Sequence, residues 1–177
     1  MGLAKSYAPN DILPYEKYFF SGGSNSIRAW RPRRLGPGSF FPADTISSEG
    51  NVVVRYNDDF EQPGELILES SIELRTKVIG FFHTALFVDA GNIWTFSEND
   101  QRPGGKFELS DFYKEIAVGA GIGARFDFTF LLLRLDAGVK IYNPALPQGQ
   151  RFIFRLDKNK IQGVDDIILN LAIGYPF

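Results

Sequence analysis

The stretch Asp166-Ile-Ile-Leu-Asn-Leu-Ala-Ile-Gly-Tyr-Pro-Phe177 alternates apolar residues with small or polar ones up to a final aromatic residue. Successive side chains of an extended strand point to opposite faces, so Ile167 and Leu169 share one face while Asn170 and Ala172 lie on the other. Similar alternation recurs upstream at about the length of a membrane-crossing strand, roughly 9 to 11 residues. The sequence therefore predicts an all-β chain that forms part of a transmembrane antiparallel β-barrel.

Four further strands with this alternation are predicted upstream. They cover residues 65–78, 81–96, 115–129 and 132–142. The connections near Gly80 and Phe130 are short, whereas residues 97–110 and 143–165 are long polar loops. Short turns that alternate with long loops are typical of outer-membrane barrels. Because such a barrel has at least about eight strands, the five or so strands found here can supply only part of one.

The two faces of the predicted strands differ in chemistry. Between residues 65 and 78, one face carries Leu66, Leu68 and Ile72, whereas the other carries Glu69 and Glu73. In a membrane barrel the apolar face contacts lipid and the polar face lines the lumen. Acidic and basic residues are interleaved on the polar faces, which favours a lumen charge network over an acid–base pair or a metal site. The predicted members are Glu69, Glu73, Glu115, Asp127, Asp136, Arg75, Arg125, Arg134 and Lys140.

Composition narrows the classes of function. The chain has 177 residues, of which 44% are hydrophobic and 15% aromatic, and it contains no apolar run long enough for a membrane helix. Its formal charge of -2 gives no basic footprint for nucleic acid, and it has no cysteine for disulfides or thiolate metal sites. His83 is the only histidine and lacks a Ser-His-Asp pattern. We therefore expect no enzymatic activity, no cofactor, no metal and no nucleic-acid partner.

Residues 18–41 differ from the strands. They have weak periodicity, clustered glycine and proline, and four arginines close together, namely Arg28, Arg31, Arg33 and Arg34. By composition alone this is a solvated basic loop, although its glycines and prolines favour turns of fixed shape. We therefore divide the chain in two. Residues 1–64 form the end of a preceding strand and a long loop, and residues 65–177 form the barrel strands.

Two motifs resemble those of a known family. Gly22-Gly23-Ser-Asn-Ser-Ile27-Arg28-Ala29-Trp30, followed by Leu35-Gly-Pro-Gly38, resembles the sixth extracellular loop of the Omp85 superfamily, which includes bacterial surface antigen D15 and BamA/TamA-like barrels. The family's Val-Arg-Gly-Phe signature is matched by Ile27-Arg28-Ala29-Trp30, with Ala29 at the glycine position. A second signature, Phe or Gly followed by x-Asp-x-Gly, is met by Phe87-Val88-Asp89-Ala90-Gly91.

The resemblance implies a barrel of about sixteen strands, of which this chain supplies the carboxy-terminal portion with the inserted loop. It implies that the loop folds back into the lumen, where we expect Arg28 to pair with Asp89 and to have Glu73 as a second acidic neighbour. The terminal strand resembles the assembly signal of outer-membrane proteins at three positions. These are Asn170, Tyr175 and Phe177.

By the same resemblance, the protein is expected in the bacterial outer membrane, where it would insert or secrete other proteins without a cofactor. Expected partners are outer-membrane lipids, client outer-membrane or secreted proteins, and accessory lipoproteins. The amino terminus has no apolar stretch typical of a signal peptide. An export signal, the earlier strands and periplasmic POTRA domains are therefore expected outside this sequence.

Two other functions remain open at this point. A passive outer-membrane pore or a small stand-alone barrel would share the alternation but would not need Arg28 or the Asp89 motif. A soluble β-sandwich that binds a ligand would bury its Leu, Ile and Phe faces against each other. A requirement for detergent distinguishes the soluble protein from the other two.

Overall fold

The computed structural model describes residues 1–4, 13–48, 51–57, 59–97, 100–128, 130–153, 161–162, 164 and 167–174. Within these residues the chain is all-β, and its only helical segments are the short 3-10 turns Tyr15–Lys17 and Phe112–Lys114. No helix in the described part is both long and apolar enough to span a membrane. Tyr175 and Phe177, two predicted residues of the assembly signal, lie outside the described residues.

The described residues contain nine strands. They are β1 (Gly2–Leu3), β2 (Ala43–Ser48), β3 (Asn51–Tyr56), β4 (Leu66–Ile79), β5 (Phe82–Trp94), β6 (Ala117–Phe128), β7 (Leu131–Tyr142), β8 (Ile161–Gln162) and β9 (Ile168–Gly174). Six of them form the main sheet in the order β1-β4-β5-β6-β7-β9, and every pair of neighbours is antiparallel. The sheet curls into a half-barrel, which confirms the predicted partial β-barrel.

The long strands lie close to their predicted bounds, and the differences have local causes. Strand β5 ends at Trp94 rather than at residue 96, because Thr95 leaves the ladder and bridges to Lys106. Strand β6 begins at Ala117, since Glu115 still closes the preceding 3-10 turn with a hydrogen bond from its backbone N–H to the carbonyl of Phe112. The turn after β4 uses Gly80 at a φ of 49°.

The outward face of the main sheet is apolar and exposed. Ile72 on β4 is 75% exposed and Leu169 on β9 is 79% exposed, and other strands of the sheet expose further large apolar side chains on this face. They include Leu86, Ile122, Leu135 and Leu171. The inward face instead carries charged residues, glycines and Phe87. This is the arrangement of a barrel wall, with its apolar face toward lipid and its polar face toward the lumen.

A second, three-stranded sheet was not predicted. Strands β2 and β3 form an antiparallel hairpin, and β8 pairs in parallel with β3, with Val54 opposite Ile161. Residues 1–64 were expected to hold only a strand end and a loop, and residues 143–165 only a loop. Six-residue strands are too short to give a clear period, and the pairing of β3 with β8 joins segments more than a hundred residues apart.

Candidate functional site: a loop docked on the inner face of the sheet

Residues 18–38, hereafter the docked loop, have a fixed conformation. Ser21 bridges to Leu35 across the loop, and the backbone N–H of Gly23 donates to the carbonyl of Trp30 over 2.9 Å. Gly22 has a φ of 101°, a conformation that L-residues with a Cβ rarely adopt, and a side chain there would also meet the carbonyl of Arg31.

The docked loop is largely buried, not solvated as its composition alone indicates. Ile27, Ala29, Trp30 and Leu35 form an apolar cluster with Ala117 of β6. Removing these side chains from water stabilises the docked position, since each large apolar side chain contributes on the order of 1.5 to 3 kcal/mol. The cluster also carries Arg28 to the inner face of the sheet.

Arg28 reaches Asp89 on β5 through a bidentate ion pair. Its Nε and Nη2 each donate to a carboxylate oxygen of Asp89 over 2.8 Å, and its backbone N–H donates to the same carboxylate over 3.0 Å. Asp89 is fully buried, and Arg28 is 3% exposed. A buried carboxylate requires compensation of this kind, because an unpaired charge is costly away from water.

Glu73 on β4 provides a second carboxylate to the same arginine. Arg28 Nη1 donates to Glu73 Oε2 over 2.5 Å, and the guanidinium lies 3.5 Å from the centroid of the Phe87 ring. In the sheet register Ser71 faces Asp89 and Glu73 faces Phe87, so the two acids are diagonal neighbours. Arg28 bridges them and offsets their repulsion, while Phe87 adds a cation–π contact. The structure thus brings the predicted Arg28, Asp89 and Glu73 together.

The charge network continues across two more strands. Arg125 on β6 donates to Glu73 over 3.0 Å and to Asp136 on β7 over 2.5 Å. Arg75 and Arg134 contact the same two carboxylates, at 2.6 and 3.3 Å respectively. Each of these acids therefore serves several cations, which is a structural network of the predicted kind.

Other members of the predicted network lie elsewhere on the inner face. Glu69 accepts hydrogen bonds from Ser21 and Ser26 of the docked loop. Glu115 accepts from the indole N–H of Trp94 over 2.6 Å and from Ser39 over 3.0 Å. Lys140 lies with its Nζ 5.8 Å from the ring centroid of Trp30.

Glycines on β6 and β7 let the docked loop approach the sheet backbone. A Cβ added at Gly119 would lie 2.5 Å from the Cβ of Ala29, and one added at Gly138 would lie 2.8 Å from the carbonyl oxygen of Arg28. A Cβ at Gly121 would meet the ring of Phe87 and the backbone of Ala137. No role was predicted for these glycines. Three glycines on β6 share the predicted inner face, however, and glycines in a strand interior often mark the close approach of another backbone.

Two further motif positions have a geometric role. Asn170 on β9 donates from its side-chain amide to the carbonyl oxygen of Arg28 over 2.8 Å, a contact that the sequence analysis did not anticipate. Gly91, the last residue of the Asp89 motif, is where a Cβ would meet the backbone carbonyl of Leu68 on β4. The motif therefore holds a buried acid beside a close approach of two strands.

Arg33, another arginine of the loop, lies outside this site. Arg33 forms an ion pair with Glu61 over 3.3 Å in which both side chains are exposed. It is also the only non-glycine residue with a positive φ in the described part of the chain. Among the described residues there is no group of three or more His, Cys, Asp or Glu side chains that could hold a metal ion.

Fold and site together define a class of protein: an antiparallel β-barrel segment whose inner face holds a folded-back loop through a buried Arg–Asp pair. The chain belongs to the Omp85 superfamily, because the family model for the Omp85 superfamily domain matches residues 1–159. Members of this superfamily are proteins of the bacterial outer membrane. A comparison with solved structures found no match.

Proposed function

We propose that this chain is the carboxy-terminal barrel segment of a factor that inserts outer-membrane proteins or translocates secreted ones. Its membership of the Omp85 superfamily supports this general role. We further propose the BamA/TamA-like branch, whose loop and strand signatures the Ile27-Arg28-Ala29-Trp30 and Phe87–Gly91 motifs resemble. The protein would act in the bacterial outer membrane and would catalyse no covalent step.

The observation that carries the proposal is the docked loop held by Arg28. The side chain of Arg28 contacts both Asp89 and Glu73, and the next residue, Ala29, packs against Gly119. A passive pore needs an open lumen and a polar wall, and it does not require a large buried loop on that wall. A loop held in one position by an ion pair and an apolar cluster is better explained if the barrel is an insertion or translocation factor whose lumen keeps a fixed geometry.

Strand β9 is the second feature that supports insertion. It pairs with β7 over Leu132–Gly138 and is an edge strand of the main sheet within the described residues. In a complete barrel of this family it would form one side of the seam between the last and the first strand. A strand edge with unpaired backbone groups can template an incoming strand, which is the chemistry that insertion of a β-barrel client requires.

The proposed partners follow from the apolar outward face and from the edge strand β9. Outer-membrane lipids would cover the exposed apolar face, client outer-membrane or secreted proteins would engage the strand edge, and accessory lipoproteins would assist. A soluble β-sandwich is a poor explanation, since Ile72, Leu86 and Leu169 are exposed rather than packed against a second sheet. No cofactor is part of the proposal.

The test is client folding by the purified full-length protein in proteoliposomes. Wild type and the control variant Arg33→Ala should accelerate folding of an added outer-membrane client, measured as its heat-modifiable form on a gel. Arg28→Ala should be slower by at least several-fold while still present in the vesicles. Ion conductance of the same vesicles tests the alternative that the protein is a passive pore. If the wild type conducts ions but leaves the client at its spontaneous folding rate, the protein is a pore and the proposal is wrong.

A further inference from the structure

A row of basic residues crosses the inner face near the short-turn end of the sheet. In the register, Lys77 on β4 faces His83 on β5, His83 faces Arg125 on β6, and Arg125 faces Arg134 on β7. Arg125 and Arg134 are like charges directly opposite one another on neighbouring strands, an arrangement that is destabilising. The row therefore requires negative charge nearby. The source of this charge differs between the side that faces the docked loop and the opposite side.

On the side toward the docked loop, carboxylates compensate the row. Glu73 and Asp136 accept hydrogen bonds from the two Nη atoms of Arg125, and Asp136 also contacts Arg134. The Nε of Arg125 is different. It has no hydrogen-bond partner among the described residues, although the side chain is 2% exposed. An unpartnered N–H on a buried guanidinium costs on the order of 1 to 3 kcal/mol unless something accepts from it.

A small cavity lies at this point. It has a volume of about 150 Å³, several times the roughly 30 Å³ that one water molecule occupies in the liquid. Its lining residues are Arg75, His83, Arg125, Asp127 and Leu132. Arg75 comes from β4, His83 from β5, Arg125 and Asp127 from β6, and Leu132 from β7. Four strands thus contribute two arginines, a histidine and a single acidic residue to the lining of one space.

The charge of the cavity favours an anion. The lining has two arginines, Arg75 and Arg125, and one acid, Asp127, while Glu73 and Asp136, which also pair with these arginines, are not among the lining residues. Lys77 stands directly opposite His83 beside them. Asp127 is exposed, so water screens its charge more than that of the buried Arg125. Glu73 is already shared among Arg28, Arg75 and Arg125. A ligand that accepts hydrogen bonds from Arg125 Nε and carries negative charge would complete the compensation.

We infer that this cavity is a binding site for an oxyanion, a phosphate or carboxylate group, which accepts hydrogen bonds from Arg125 and Arg75 and from the imidazole of His83. The geometry and the charges carry this inference, and it does not depend on the proposed role in insertion. His83 is the only histidine in the sequence, so its imidazole is a single reporter inside the site.

The test is an NMR titration of His83 in the full chain, refolded in a maltoside detergent that has no phosphate. The imidazole pKa is measured in chloride, sulfate and acetate at equal ionic strength. Sulfate stands for a tetrahedral phosphate-like group, and acetate stands for a carboxylate. An oxyanion bound beside His83 favours the imidazolium, so the pKa should rise by about half a unit or more relative to chloride. The ion that raises the pKa more shows whether the site prefers a phosphate-like group or a carboxylate.

Arg75→Gln removes one guanidinium from the cavity at an exposed position, and Arg33→Gln is the matched control outside it. The oxyanion-dependent rise should vanish in Arg75→Gln and persist in Arg33→Gln. Equal pKa values of His83 in chloride, sulfate and acetate would overturn the inference. So would a rise that is the same size in Arg75→Gln as in the wild type, because the ion would then act on His83 from outside this cavity.

Discussion

The side-chain amide of Asn170 on β9 donates a hydrogen bond of 2.8 Å to the carbonyl oxygen of Arg28, a residue 142 positions earlier in the chain. The side chain of Arg28 meanwhile contacts Glu73 on β4 and Asp89 on β5. One residue of the docked loop therefore connects the last described strand of the sheet to two strands near its other end. The loop and the sheet hold each other in place.

We expect Asn170→Ala to loosen both the docked loop and β9. The change leaves the Arg28 carbonyl without this donor in a buried position, which costs on the order of 1 to 3 kcal/mol. Hydrogen exchange of the detergent-refolded chain should become faster in residues 22–38 and in β9. Leu169→Ala, at the adjacent outward-facing position, is the control and should leave exchange in the loop unchanged. Equal loop protection in Asn170→Ala and wild type would contradict the coupling.

Gly119→Ala should displace the docked loop from β6. The new methyl group would lie about 2.5 Å from the Cβ of Ala29, and overpacking of this kind typically costs about 1 to 3 kcal/mol. Limited proteolysis should cut the loop faster in this variant than in wild type. Gly174→Ala is the matched control on β9, because a Cβ there meets nothing within 4 Å. Similar cleavage rates in both variants would contradict the proposed contact.

Ala29→Gly should rescue Gly119→Ala. The two Cβ positions compete for one space, and removing the methyl group at position 29 restores room for the methyl group at position 119. Ala29 has no positive φ, so its backbone does not require glycine. Proteolysis of the double variant should return toward the wild-type rate. A double variant that is cut faster than Gly119→Ala alone would show that the damage has another origin.

The strands of the main sheet were predictable because period-two alternation is a local property of the sequence. Residues 65–78 separate apolar from charged side chains so cleanly that the outward face of β4 could be assigned without a structure. The hairpin β2–β3 was not predictable. Its strands are short, and β3 pairs with β8 from a segment far away in the sequence.

For the site, the sequence contains the motifs Ile27–Trp30 and Phe87–Gly91, and it predicts Glu73 as a second acidic neighbour of Arg28. Placing Asp89 and Glu73 on the inner face of consecutive strands required only the alternation and the turn at Gly80. The contacts of Arg28 with Asn170, and of Ala29 with Gly119, depend on where the loop lies on the sheet. Tertiary packing determines that position, so no local pattern could reveal it.

We expect the terminal aromatic residues to act in assembly of the full-length protein. Tyr175→Ala combined with Phe177→Ala should lower the amount of folded barrel in the outer membrane, because these residues resemble a recognition signal. The measurement is the heat-modifiable band in isolated membranes. Phe130→Ala, which removes an exposed aromatic side chain at a short turn, is the control and should have a small effect. An unchanged band in the double variant would argue against the signal.

The isolated chain should require detergent. Its outward face exposes Ile72, Leu86, Ile122 and Leu169, an apolar surface that proteins in plain buffer do not tolerate over such an area. Gel filtration without detergent should give aggregates, whereas a refolded sample in micelles should give a defined peak. A sharp monomeric peak in plain buffer, together with cooperative melting, would contradict the membrane assignment.

The buried pair of Arg28 and Asp89 holds the loop on the sheet, and a double-mutant cycle on these two residues measures this directly. Arg28→Ala leaves the buried Asp89 without its arginine, which should destabilise the docked loop by about 3 to 5 kcal/mol. Asp89→Ala leaves Arg28 paired with Glu73, so its cost should be smaller. The double variant should cost much less than the sum of the two, and Arg33→Ala should be nearly silent because that arginine is exposed. The readout is the rate of protease cleavage within residues 22–38 of the full-length protein in membranes. We expect both single variants to be cut faster than wild type, Arg28→Ala faster than Asp89→Ala, and their effects to be strongly non-additive. Strict additivity, with the loop of Arg28→Ala as protected as that of Arg33→Ala, would contradict this expectation.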